Sequence, residues 1–149
     1  KNPFSFLYLY KMKLHELRLK SDAFIQSIDI KIEESILFAE ADVLALNREQ
    51  MKERQVDSND DNLPEYSSKW KSIKGLTYFN LFDTGDFQKR LTLSVKYPVY
   101  AISSSDWKLG RLLKRVGERM FGIAPSNQTK AKEATFKAFV RKYQSEVLK

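Results

Sequence analysis

The sequence predicts an α+β fold, with helices at both ends around a small antiparallel sheet, and three observations carry that reading. Apolar residues recur at steps of three and four in the first and last thirds of the chain, as in Ile25, Ile28, Ile32 and Ile36. Strict alternation occurs in the middle, at Leu91-Thr92-Leu93-Ser94-Val95. A polar, Asx-rich tract centred on Asp57-Ser58-Asn59-Asp60-Asp61-Asn62 separates the two patterns. At 149 residues and 42% hydrophobic, the chain suits a single domain with a core of its own. Its parts are an N-terminal helical region (1–46), a loop and sheet region (47–104) and a basic C-terminal helical region (105–149).

Taken in order, Pro3 followed by Leu7, Tyr10, Leu14 and Leu17 predicts a first helix over residues 4–19, with proline where its missing N–H costs nothing. Ser21 or Asp22 is placed to cap a second helix, whose stripe runs Ile25, Ile28, Ile32, Ile36, Ala39, Val43, Leu46. Residues 47–64 read as turns, since short Asx side chains bond their own backbone. A short helical turn follows over 67–74, ended by Gly75. The alternating run and Val99-Tyr100-Ala101-Ile102-Ser103 form a hairpin near residues 87–104, turning at Lys96-Tyr97-Pro98. Ser105 or Asp106 caps a helix with Leu109, Leu112, Leu113, Val116 and Met120 as its stripe, ending near Gly122. Pro125 and Ser126 open the last helix, whose stripe is Phe136, Phe139, Val140, Tyr143 and Val147.

The chemical inventory is poor. With no cysteine, disulfides, thiolate metal sites and cysteine nucleophiles are excluded, and the one histidine, His15, has no ligand or nucleophile near it in sequence. No cofactor is expected, and there is no phosphate-cradling glycine loop. Apolar runs are far shorter than the roughly 20 residues that span a bilayer, so a soluble protein without membrane contact is expected. Phe4 to Tyr10 lacks the basic leader and A-x-A site of a signal peptide. Asp57-x-Asn59-x-Asp61 imitates the opening of a calcium loop, but Asn62 and Ser68 stand where glycine and the bidentate Glu belong. No metal site is therefore assigned. Leu81-Phe82-Asp83-Thr84-Gly85 has the form of an aspartic-protease strand, where two carboxylates share a proton. Asp86 would set another carboxylate beside that dyad, so Asp83, Thr84 and Gly85 are read as a structural turn and no catalytic residue is assigned. Glu33, Glu34, Glu40 and Asp42 read as the wet face of the second helix.

The net charge of +7 is unevenly distributed. Residues 107–149 hold 11 Lys and Arg against 3 Asp and Glu, whereas residues 1–106 hold 15 against 16. A basic block of this kind meets either phosphates or an acidic protein surface. It carries no zinc-finger, homeodomain or RNP pattern.

Several spaced residues together resemble a known group. They run Leu46-Asn47-x-x-Gln50-Met51, Asp57-Ser58, Leu63-x-x-Tyr66-Ser67, Lys74, then Leu81-x-Asp83-Thr84-Gly85-Asp86-Phe87, Ile102-x-Ser104-x-Asp106-x-Lys108, Gly117 and Phe121-Gly122-Ile123. In this order, over residues 44–127, the chain resembles small virion proteins of Bacteroidetes tailed phages, including crAss-like phages, and is similar to phage virion-morphogenesis and tail-completion proteins of the neck. It departs from that pattern at Asp60 and Asp61, where relatives tend to carry glycine, at Gln88 for an aromatic, and at Val116 for a tyrosine.

The resemblance implies a non-enzymatic head-tail connector, neck or tail-completion subunit in the virion, made in the bacterial host cytoplasm. Its partners would be copies of itself in a ring around the DNA channel and other neck, portal or tail proteins, with room for non-specific contact with packaged DNA. Ring interfaces are heterologous, so unlike faces should complement one another. The candidate interface residues are Phe4, Leu7 and Tyr8 on the first helix and Lys130, Lys137, Arg141 and Lys142 on the last. The alternative is a nucleic-acid-binding protein using the basic C-terminal helices.

Overall fold

The computed structural model describes the backbone of residues 3–148 and the side chains of residues 13–148. Helix α1 (Pro3–Gln26) continues through Ser21 and Asp22, where a cap was expected, and stops at Ser27. The Ser27 hydroxyl lies 3.1 Å from the Ala23 carbonyl and 3.2 Å from that of Phe24, and such back-bonding bends helices. The single helix expected from residue 22 to 46 is thus divided into the end of α1, α2 (Ile28–Phe38) and α3 (Glu40–Glu49), with a π turn (Gln50–Arg54) after it. The break also shifts the apolar stripe: Phe24 is buried and Ile25, expected inside, is 63% exposed.

Short helix α4 (Ser68–Lys74) and the single turn α5 (Asp86–Lys89) precede the hairpin. Strands β1 (Leu91–Lys96) and β2 (Val99–Ser104) pair antiparallel, with Leu93 opposite Ile102 and a turn at Tyr97-Pro98. Leu91, Leu93, Ile102 and Ser104 face the core while Thr92, Ser94 and Ser103 face outward, as the period of two requires. Glu40 accepts the Leu93 N–H at 3.1 Å and Glu33 accepts that of Tyr97 at 2.6 Å. Two carboxylates read as wet surface therefore satisfy donors of the hairpin, Glu40 at the outer edge of β1 and Glu33 at the turn that follows it.

Helix α6 (Leu109–Val116) ends at Gly117, earlier than expected, and Met120 sits fully buried in a following 3₁₀ turn. The Asp106 carboxylate accepts the Lys108 N–H at 2.8 Å just ahead of α6. Helix α7 (Pro125–Val147) lies across α1, α2 and α3. Its inner line is Ala131, Ala134, Ala138 and Val147, with Phe139 half-buried, whereas Phe136 is 66% exposed. Small side chains let α7 approach its neighbours closely, and the bulkier Phe136 turns outward.

Three buried amides join α3 and the π turn to the segment before α7 and to the first turn of α7. Asn47 Nδ2 and Gln50 Nε2 both donate to the Gly122 carbonyl, at 2.7 and 2.8 Å. Gln50 Oε1 accepts the Ala124 N–H at 3.0 Å. Asn127 Nδ2 reaches the Leu46 carbonyl at 3.4 Å. Asn47 Oδ1 is buried without a hydrogen-bond partner among the described residues, but the bonds these amides do make would be costly to break, so the clasp fixes one arrangement of the joined segments.

Candidate functional site

Asp83, Thr84 and Gly85 form a bend that leads into α5. Gly85 has φ +82°, and a Cβ there would sit 3.0 Å from the Phe82 ring, so both conformation and space demand glycine. Asp83 is mostly exposed and lies 3.6 Å from Lys74 Nζ. Asp86 accepts the Thr84 hydroxyl, which holds its carboxyl below the usual value, with the charges of Lys89, Lys108 and Arg90 acting the same way. Each carboxylate thus has its own partner, an arrangement unlike a proton-sharing dyad.

This bend lines a groove of about 330 Å³ together with α4 and α6. Trp70 and Lys74 line it from α4. Lys108, Arg111 and Arg115 line it from the α6 side, one and two helical turns apart. Phe79, Phe82 and Phe87 are among the aromatic residues between these walls, and the Arg115 guanidinium stacks 4.5 Å from the Phe79 ring centre. The sequence reading missed this cluster. Its signals, Trp70 with Lys74 four apart and the basic row on α6, lie in segments that only the fold brings together.

Asp57 of the Asx-rich tract is buried and spends its Oδ1 on the N–H groups of Asn59 and Asp61, at 2.7 and 3.2 Å. Asp60 accepts the Ser126 hydroxyl at 2.7 Å and its N–H at 2.9 Å, and pairs with Arg54. These bonds hold its carboxyl below the usual range. The tract is a tie to the start of α7. Among the described residues, no cluster of three or more His, Asp or Glu is arranged to hold a metal ion.

The candidate interface residues behave differently from one another. Lys130 and Lys137 flank a shallow cleft between α3 and α7 with Asp42 and Glu133 beside them, and Arg141 is exposed. Lys142 is half-buried and turned onto its own domain, 2.8 Å from Glu34 and 3.3 Å from Glu146. Lys31 completes that network, 2.7 Å from Glu146. Lys142 is therefore a tie between α2 and α7. Phe4, Leu7 and Tyr8 fall in the first turns of α1, and their side chains lie outside the described residues.

Farther along α1 every side chain from Lys13 to Leu19 is exposed, including Leu14 at 49% and Leu17 at 37%. The apolar stripe thus continues along a helix segment that the domain does not cover. A second apolar surface lies between α2 and α7, a groove of about 740 Å³ with Ile32, Ile36, Tyr100, Phe136 and Phe139 among its walls.

Compared with protein-family models, curated proteins and solved structures, the chain finds no match. Among the described residues no helix is long and apolar enough to cross a membrane.

Proposed function

We propose that this chain is a non-enzymatic structural subunit of a tailed-phage virion, one copy in a connector, neck or tail-completion ring around the DNA channel. The resemblance over residues 44–127 suggests the class, and one structural observation supports assembly: the uncovered stretch of α1 from Lys13 to Leu19, with Leu14 and Leu17 in water. Leaving apolar helix surface exposed is unfavourable unless a partner removes it from water. The groove between α2 and α7 is a complementary apolar surface on the same chain. Seating α1 of one copy in that groove of the next is a heterologous contact, which forms a ring where the rotation between copies closes.

Light scattering on the purified chain, alone and with portal or tail proteins of the same phage, tests this reading. The expected result is a ring, alone or on addition of those proteins. A chain that stays monomeric in both settings overturns it.

A second reading, nucleic-acid binding by the basic C-terminal helices, is favoured by the charge excess of residues 107–149 and by the exposure of Lys130, Lys137 and Arg141. It requires affinity that falls linearly with salt on logarithmic axes.

A further inference from the structure

We infer that the groove between α4 and α6 is a nucleotide-binding site, holding a base against its aromatic side and the attached phosphate against its cations. Arg111 and Arg115 carry the argument. The acidic residues of the groove are already matched, Asp83 by Lys74 at 3.6 Å and Asp86 by Thr84 with Lys89, Arg90 and Lys108 around it. Among the described residues no ion pair involves Arg111 or Arg115. Two arginines thus line one groove with their charge unpaired; the Arg115 guanidinium is stacked on Phe79, and that of Arg111 lies 5.8 Å from the Trp107 ring centre. Guanidinium forks suit phosphate oxygens, which they bind in pairs of hydrogen bonds.

The opposite wall says what else the ligand carries. Trp70 is 46% exposed on α4 at the edge of the groove, where a large ring in water is unfavourable unless something stacks on it. A cationic row facing an aromatic platform is the arrangement by which proteins hold single-stranded nucleic acid without reading its sequence. An acidic peptide would use the cations and leave Trp70 idle. A volume of about 330 Å³ is at the small end of ligand pockets and suits a single nucleotide unit. That unit is supplied either by a strand or by a free nucleotide.

The test uses the full chain with a short fluorescein-labelled oligothymidylate at low salt, read by anisotropy. The oligonucleotide is expected to bind, and Arg111→Ala with Arg115→Ala to weaken it about tenfold or more and flatten the logarithmic salt slope by about 1. Trp70→Ala should weaken binding about fivefold or more, with Trp70→Phe restoring most of it. Lys137→Ala with Arg141→Ala, on a different helix, should leave affinity within about twofold. Competition by thymidine monophosphate at concentrations where inorganic phosphate is inert assigns the site to the free nucleotide, and the absence of competition assigns it to the strand. The inference is overturned by any of four results: no binding, equal loss in the Lys137 and Arg141 variant, indifference to Trp70→Ala, or duplex bound as tightly as single strand. Because oligomeric mass is measured separately, this site stands or falls independently of the ring.

Discussion

Helices α1 and α7 are nearly equal in length, 24 and 23 residues, yet the domain uses them in opposite ways. Helix α7 is gripped along its inner face by α1, α2 and α3, through Ala138, Phe139 and Val147. Among its described side chains, helix α1 is docked toward its C-terminal end, where Phe24 lies edge-on to Phe139 at 5.5 Å and to Tyr143 at 5.2 Å. Over Lys13 to Leu19 every side chain is exposed. Both carry apolar stripes, so periodicity alone does not tell an internal helix from one that awaits a partner; what separates them is whether the domain provides an opposing surface.

The strongest way to break that contrast is at the aromatic joint. Phe24→Ala removes a buried ring and the edge contacts that dock α1 on α7, at a cost of about 3 kcal/mol. For a chain of this size the melting temperature should fall by roughly 6 to 12 °C, measured by circular dichroism. A change within a degree or two would mean that the joint does not hold the two helices together.

Sharpening the contrast takes the opposite kind of variant. Leu14→Glu with Leu17→Glu places charge on the uncovered stripe, and folding stability should change by less than about 1 kcal/mol because neither residue is buried by its own domain. The oligomeric mass, by contrast, should drop toward that of the monomer. If stability falls with mass unchanged, the stripe packs within the chain. Phe136→Glu, in the wall of the groove between α2 and α7, should reproduce the loss of mass if that groove receives the neighbouring α1.

Legibility in the sequence followed the range of the interactions involved. The hairpin was readable because alternation and the Tyr97-Pro98 turn are local, and the start of α7 because Pro125 fixes it. The division of α1 from α2 was misplaced: Ser21 and Asp22 have cap chemistry, but the bend forms at Ser27, whose hydroxyl satisfies the carbonyls of the preceding turn. Glu33 and Glu40 looked solvated because their partners, Tyr97 and Leu93, lie more than fifty residues away. The residues that suggested a phage resemblance prove to be mainly framework, with Asn47 and Gln50 meeting Gly122, and Ser104 bonding to Phe87 and Asp106. The groove between α4 and α6 was invisible for the same reason as the carboxylate contacts, since Lys74 and Arg115 meet only after folding.

The smallest expected effect concerns the ion network that binds α2 to α7. Glu34 and Glu146 are held below their ordinary carboxyl value of 4.5 chiefly by hydrogen bonds, Glu34 from Lys142 and Glu146 from Lys31, while Lys142 is held above 10.5 chiefly by its hydrogen bond to Glu34. A lowered carboxyl stabilises the fold above its unfolded value, and that contribution disappears as pH falls below 4.5 through the folded value, because the unfolded chain takes up protons first. A raised ammonium does the reverse, stabilising below 10.5 and losing its effect as pH climbs past the folded value. The network should therefore contribute its full share across neutral pH and fade at both extremes. Exposed pairs are weak and screened, so Glu34→Gln should lower the neutral melting temperature only slightly. Its clearer mark should be a smaller drop in melting temperature between pH 7 and pH 3 than the parent shows. An identical acid drop in both chains would mean that the pairing seen between α2 and α7 does not stabilise the fold, leaving α7 held by its apolar face and by the bonds that Asp60 and Asn127 make at its start.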